Sequence, residues 1–247
     1  MRKSLALRVA GACRRLAWIL GRFERRYSPP QVTLIDLAQQ LTTSRSDLVF
    51  VQIGANDGVR FDPMAELRGR VELRGAVVEP LSEMHASLKT VYSHHPNVAL
   101  VLAAIHKDAT QVDMYRVKAD SAREEWMLGI ASLSPTHYQN LGVPAESMEV
   151  VSVPAMTISA LLSDLRLDRL DLFIMDCEGY DLDILDMLDL ETWRPAVIQF
   201  EHGLAGGSVD RRRLADAIDR LRRSGYESTV GGEDVIAYLP AQFWKAR

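Results

Sequence analysis

Apolar runs of strand length alternate with stretches of helical spacing along most of this chain. Leu48 to Ile53 is apolar but for Gln52 and reads as a buried strand. Residues 74–79 follow the same pattern, and Val98 to Ile105 is a continuous apolar run suited to a buried parallel strand. Gln111 to Val117 alternates. Met148 to Val153, Leu170 to Met175 and Ala196 to Phe200 add further strands. Tyr226 to Val230 and Val235 to Leu239 flank Gly231-Gly232 and predict an antiparallel hairpin.

Between these strands the spacing turns helical. Leu34, Leu37, Ala38 and Leu41 share one helix face. Residues 62–69 open on Asp62-Pro63, a cap followed by Pro at the first helical position, and predict a helix. Residues 82–92 predict another, capped by Ser82. Thr157 to Leu162 opens a helix, and so does Asp181 to Leu190, with Leu182, Leu185 and Leu188 inward and its acids on a solvated face. Residues 209–223 form a surface helix that stops at Ser224-Gly225. Residues 119–146 lack periodicity and read either as part of a substrate lid or as a surface excursion. The expected class is α/β: a mostly parallel sheet with one antiparallel edge strand and helices on both faces.

Charge divides the chain. Residues 1–26 hold eight Lys/Arg and one acid, net +7; taken from the chain's −4, this leaves −11 on the rest. So acidic a body argues against a nucleic-acid partner. The arm reads as an amphipathic helix, with Leu5, Val9, Ala12, Leu16, Ile19, Leu20 and Phe23 on one face. Arg8, Arg14 and Arg15 interrupt it too often for a membrane span. It is expected to lie on a membrane surface, or to dock on its own domain or a partner subunit. Pro29-Pro30 marks the boundary, giving an arm at 1–28 and a domain at 29–247. The two cysteines, Cys13 and Cys177, have no framework or metal spacing, which points to a reducing, cytoplasmic setting. Cys177 is expected to be a buried bystander.

The chemistry sits at strand ends. The first strand runs into Gly54-Ala55-Asn56-Asp57-Gly58, and the second ends in Glu79-Pro80. A loop after one strand and a carboxylate after the next make a nucleoside site in doubly wound sheets. Gly54 and Gly58 permit a sharp turn and close backbone approach to a ligand. Glu79 offers two acceptor oxygens to the hydroxyls of a ribose. The G-x-x-x-G spacing lacks the pyrophosphate loop of a dinucleotide site, so a cofactor with a ribose and no phosphate fits better. The competing reading is a plain strand–helix turn. Two further strands end in carboxylates, Asp176 and Glu201. His202 follows at a strand exit, where a histidine can serve as a base. Glu178 and Asp181 stand where acids cap a helix N-terminus.

Taken together, the blocks Phe50–Gly58, Val77–Pro80, Val153–Ile158, Leu170–Tyr180 and Ile198–His202 resemble the FkbM family of S-adenosylmethionine-dependent methyltransferases. The resemblance covers about residues 48–240. It implies a seven-stranded Rossmann-like sheet and methyl transfer to a hydroxyl of a sugar, glycan or polyketide-type product. It also implies S-adenosylmethionine as cofactor, held by Gly54, Ala55, Asn56, Asp57, Gly58, Glu79, Pro80 and Ala104. The Asp176-x-Glu178-Gly179 block then faces the methyl group and acceptor. Two positions depart from the family pattern. Gln52 stands where many relatives carry an acid, and Ile174 or Met175 where many carry a Lys.

A hydroxyl acceptor must lose its proton as the bond forms. Asp176 or His202 is the expected base. Alternatively Asp176 and Glu201 hold a divalent cation that acidifies the hydroxyl. Outside this family, the competing readings are a nicotinamide-dependent oxidoreductase and a degenerate, non-catalytic binding module.

Overall fold

The computed structural model describes residues 32–122, 127, 129, 131–140, 142–203 and 210–243. The helix expected in the arm and parts of the 119–146 segment lie outside them. Among the described residues no helix is long and apolar enough to cross a membrane.

The chain from Thr33 onward builds a seven-stranded sheet. Its strands are β1 (Asp47–Ile53), β2 (Glu72–Val78), β3 (Val98–Val101), β8 (Leu172–Met175), β9 (Val197–Glu201), β10 (Glu227–Val230) and β11 (Asp234–Tyr238). The order across the sheet is β10-β11-β9-β8-β1-β2-β3. β1 sits between β2 and β8, parallel to both, with every residue from Leu48 to Ile53 buried. Burial on both faces is why this strand reads as an apolar run rather than an alternation. The closing hairpin supplies the antiparallel member, β11, which inserts between β9 and β10 and leaves β10 at the edge.

At the amino ends of β1 and β8, Asp171 is 2% exposed and accepts the Val49 N–H at 2.9 Å. Ion pairs with Arg45 and Arg169 balance its charge. This buried anchor ties the two central strands together at the end away from their loops.

A smaller sheet runs β4-β7-β5-β6: β4 (Ala104–Ile105), β5 (Gln111–Val117), β6 (Ala131–Ser132) and β7 (Met148–Met156). The long β5–β7 antiparallel ladder runs from Gln111↔Pro154 to Val117↔Met148. Leu81, Ala104, Met114, Ala131, Val153 and Ala155 form its apolar cluster. The continuous strand expected over Val98–Ile105 is therefore two strands. It breaks at Leu102-Ala103, and β4 leaves the main sheet to pair with Ala155-Met156 of β7.

Helices α1 (Leu34–Thr42), α2 (His85–Val91), α3 (His137–Asn140), α4 (Ile158–Leu165), α5 (Asp181–Met187), α6 (Arg211–Arg223) and α7 (Pro240–Phe243) complete the described domain. α1 opens on a full capping box, Thr33 Oγ1 accepting from Asp36 N–H and the Asp36 carboxylate from Thr33 N–H. Two helix expectations fail at their starts. Residues 62–69 form successive turns, because the Asp62 carboxylate is drawn sideways to Gln52 Nε2 and Arg68 as well as to Met64 N–H. Ser82 caps nothing: its hydroxyl meets Glu83, and the segment begins as a 3₁₀ turn, Ser82–Met84, before α2.

Candidate active site

The sheet order reverses at β1, and the loops leaving β1, β2 and β8 surround a cleft. Gly54, Asn56, Glu79, Pro80 and Ala104 line it, as do Asp176, Cys177, Glu178 and Tyr180. Gly129, Ala131 and Leu133 contribute a wall from the 119–146 segment.

The loop after β1 is shaped by left-handed residues, Gly54 at φ +79°, Asn56 at +49° and Gly58 at +71°. Gly54 and Ala55 N–H both donate to Val78 O, at 2.9 and 3.2 Å, pinning the loop to the end of β2. The need for glycine differs from the one expected. A Cβ on Gly54 would lie 1.8 Å from the Asp176 carbonyl oxygen, and one on Gly58 would lie 2.9 Å from the Leu88 side chain. Close protein packing, not ligand approach, demands these glycines. Ala55 is buried beneath the loop, and the Asp57 carboxylate turns to Val59 N–H, Arg60 N–H and the Arg60 side chain. Neither these two nor Gly58 lines the cleft.

Glu79 is 4% exposed, with each carboxylate oxygen held by one backbone donor: Asn56 N–H at 2.8 Å and Leu81 N–H at 2.9 Å. Burial pushes its pKa up to about 7, against the lowering effect of those two bonds. The His85 ring holds its main-chain carbonyl at 2.8 Å. Glu79 is therefore fixed in place, with lone pairs left for a ligand. Beside it, Asn56 Oδ1 is buried without a partner among the described residues.

Across the cleft, Asp176 is open to solvent at the end of β8. The surrounding protein, then Glu178, Asp181, Asp234 and Glu233, push its pKa up to about 8. Its access to the cleft means that solvent or a ligand there offsets part of that rise. Glu178 sits at φ +51°, strained for a residue with a side chain. Ser132 Oγ donates to its carbonyl at 2.8 Å, and His137 Nε2 pairs with its carboxylate at 2.9 Å.

Three site expectations are corrected. Glu178 faces His137 and does not cap α5. Asp181 is not on a solvated face: it is 1% exposed, accepts Cys177 N–H at 3.0 Å and Glu201 N–H at 3.1 Å, and so staples the β8 exit to β9. Burial holds its pKa at about 7. His202 is 2% exposed, with its ring on Gly231 O at 3.3 Å, and lies outside the cleft lining. Burial against the β10–β11 turn keeps its ring out of the cleft.

No local pattern marks a role for His137: it lies on the aperiodic 119–146 segment, and its partner Glu178 is 41 residues away. Cys177 is half-buried and lines the cleft, and burial pushes its thiol pKa well up, so it is inert as a nucleophile. The two departures are structural: Gln52 Nε2 bonds Asp62 Oδ1 at 3.0 Å, while Ile174 and Met175 are core.

The methyltransferase FkbM domain, as a family model, matches residues 52–228. The chain belongs to the FkbM methyltransferase family. Among solved structures it is similar to an FkbM methyltransferase from Methylobacillus flagellatus, at 15% identity and TM-score 0.47, covering 78% of this chain and 43% of that one. It is also similar to an O-methyltransferase of Streptomyces achromogenes involved in tomaymycin synthesis, in complex with SAM. There the identity is 12% and the TM-score 0.41, covering 87% of this chain and 85% of that one. A precorrin-6y methyltransferase from Geobacter metallireducens shows 14% identity and TM-score 0.38 over 85% and 93% of the two chains. No curated protein matches the sequence.

FkbM methyltransferases imply S-adenosylmethionine, and the cleft suits it. It offers a fixed carboxylate at Glu79, an orphaned acceptor at Asn56 Oδ1 and apolar walls at Ile53, Ile105 and Met114. A divalent cation finds less support. Among the described residues no group of three His, Cys, Asp or Glu side chains converges as ligands, so Asp176 and Glu201 lack a third partner.

Proposed function

We propose that this FkbM methyltransferase methylates a hydroxyl of a sugar, glycan or polyketide-type acceptor, with Asp176 as the general base. The observation that carries the reading is one cleft lined by Glu79 and Asn56 from the β1–β2 side and by Asp176 from β8. When bound, the cofactor supplies a methyl group already activated on a sulfonium. The chain's own task is alignment, exclusion of water and removal of one proton.

Glu79 would hold the ribose hydroxyls and Asn56 Oδ1 would take a cofactor donor. Ile53, Ile105 and Met114 would exclude water from the base of the cleft. An acceptor oxygen must come within roughly 3–3.5 Å of the reacting carbon. Asp176 faces the same space, and its raised pKa makes its ionised form a stronger base than an ordinary aspartate. A base poised near the working pH contributes ~10²–10⁴-fold. Glu178, oriented by His137, would position the acceptor.

The test is calorimetric titration of the full chain with S-adenosylhomocysteine. Micromolar-range binding is expected. Glu79→Ala removes charge-assisted hydrogen bonds of ~1.5–3 kcal/mol each, so its affinity falls by about tenfold or more. Unchanged affinity in a folded Glu79→Ala variant overturns the cofactor assignment.

A further inference from the structure

Among the described residues that line the cleft, Tyr180 is the one aromatic side chain, and it takes no part in holding the ribose or removing the proton. It stands just before α5, where Gly179 turns the chain at φ +95° and Tyr180 N–H meets Cys177 O at 3.3 Å. Its ring lies parallel to that of His106, with 2° between the planes and 5.9 Å between the centroids. His106 is itself held in place. Its main-chain N–H donates to Met156 O at 2.9 Å, and its ring Nδ1 accepts Ala109 N–H at 3.0 Å. One side of the Tyr180 ring is thus backed by a fixed ring, while Tyr180 stays half-buried and borders the cleft. An aromatic held in this way offers stacking surface at little cost in side-chain entropy.

The chain that carries His106 also connects this platform to Glu79. Glu79 N–H donates to Val101 O at 3.0 Å, so the segment leaving β3 starts beside the residue assigned to the ribose. Ala103, Ala104 and Ile105 then form the cleft wall up to His106. Three residue steps of extended chain span roughly 10 Å, the reach of a nucleoside. That wall is apolar, and its two alanines leave room for a flat group against it.

We propose that Tyr180, backed by His106, stacks on the adenine of S-adenosylmethionine, with Ala103, Ala104 and Ile105 as the wall of the same slot. The proposal rests on the cofactor reading and extends it from the ribose to the base. Glu79 fixes the ribose hydroxyls, and the base, on the carbon next to them, runs along β4 toward Tyr180. A purine has a π-face to lay on such a ring, whereas the homocysteine end of the cofactor has none.

The experiment titrates the full chain by calorimetry with S-adenosylhomocysteine, with methylthioadenosine and with S-ribosylhomocysteine, which lacks the base. Tyr180→Leu should weaken the two adenine-bearing probes by about tenfold or more, the scale of base–aromatic stacking, and leave the base-free probe within about twofold. Tyr180→Phe, which keeps the aromatic face, should bind as the wild type does. His106→Asn keeps an acceptor for Ala109 N–H but removes the ring, and should weaken only the adenine-bearing probes, by less than Tyr180→Leu does. Tyr180→Trp decides the matter even where Tyr180→Leu fails to fold: S-adenosylhomocysteine should quench the added indole fluorescence, with the wild type as baseline, and S-ribosylhomocysteine should not. Unchanged S-adenosylhomocysteine affinity in folded Tyr180→Leu, an equal loss for the base-free probe, or no quenching in Tyr180→Trp overturns the proposal. Lower turnover with unchanged S-adenosylhomocysteine affinity also overturns it and gives Tyr180 to the acceptor. If the wild-type chain does not bind S-adenosylhomocysteine, the cofactor reading itself falls. If it binds and Tyr180→Leu binds equally well, only the adenine slot falls.

Discussion

At Gly54 the backbone is at φ +79°, and an added Cβ would stand 1.8 Å from the Asp176 carbonyl oxygen. Gly54→Ala is therefore expected to cost ~3 kcal/mol or more, combining left-handed strain with overpacking. A urea midpoint within error of wild type would show that the two loops can separate freely. Asp176→Asn keeps size and removes the basic oxygen. Turnover on a verified acceptor should fall by ~10²-fold or more, with cofactor affinity little changed. Activity retained within about threefold, below the range of general-base catalysis, would remove Asp176 from the chemistry. Glu79 and Asp176 were legible because each closes an apolar strand, and strand ends in such sheets face ligands. His137 and Asp181 were not. Their roles depend on partners 20 or more residues distant, such as Glu201 N–H for Asp181 and Glu178 for His137.

Among elements, β6 and α3 hold the strained Glu178 through Ser132 on its carbonyl and His137 on its carboxylate. A hydrogen bond of this kind contributes ~1 kcal/mol net, more when charged. His137→Ala should raise amide exchange across residues 131–140 by about fivefold or more, the Boltzmann factor of that loss. Exchange mass spectrometry reads this directly, and unchanged protection would mean that the segment is held by packing alone. The helix expected at 62–69 and the unbroken strand expected at 98–105 mark where local pattern fails. In the first, Asp62 accepts Met64 N–H as a cap would, but its carboxylate is also tied to Gln52 and Arg68, and the segment closes as successive turns. In the second, the apolar residues serve two sheets, and the run surfaces between them at Leu102, which is 42% exposed.

Over the whole molecule, the acids at the sheet's carboxyl edge set how stability depends on pH. Glu79, Asp181 and Glu201 are pushed up to about 7, burial being the first cause in each, and Asp176, open to the cleft, shifts in the same direction. Unfolded, such groups titrate near ~4. Between those values the folded state binds more protons than the unfolded one, so stability falls as pH rises from about 4 to about 7. Asp47 and Asp57, whose pKa values are lowered on balance by their hydrogen bonds and ion pairs despite burial, act oppositely and lose stability in acid below ~4. The ligand-free protein should thus melt higher near pH ~5 than near pH ~8, and Asp176→Asn should narrow the gap. A melting temperature that rises over this range would contradict the burial of these carboxylates.

The chain's local pattern was enough for the α/β class, the buried central strand, the closing hairpin and the family, together with Glu79 and Asp176 at strand ends. Each of these rests on local periodicity, or on motif order along the chain. Which residues share the cleft depends on crossovers that bring β8 beside β1 and lay a second sheet against Leu81 and Ala104. The tertiary structure also turned His202 inward and Asp57 aside, and brought His137 onto the Glu178 carboxylate. Such placements come from packing and desolvation between distant segments, for which a linear pattern carries no signal.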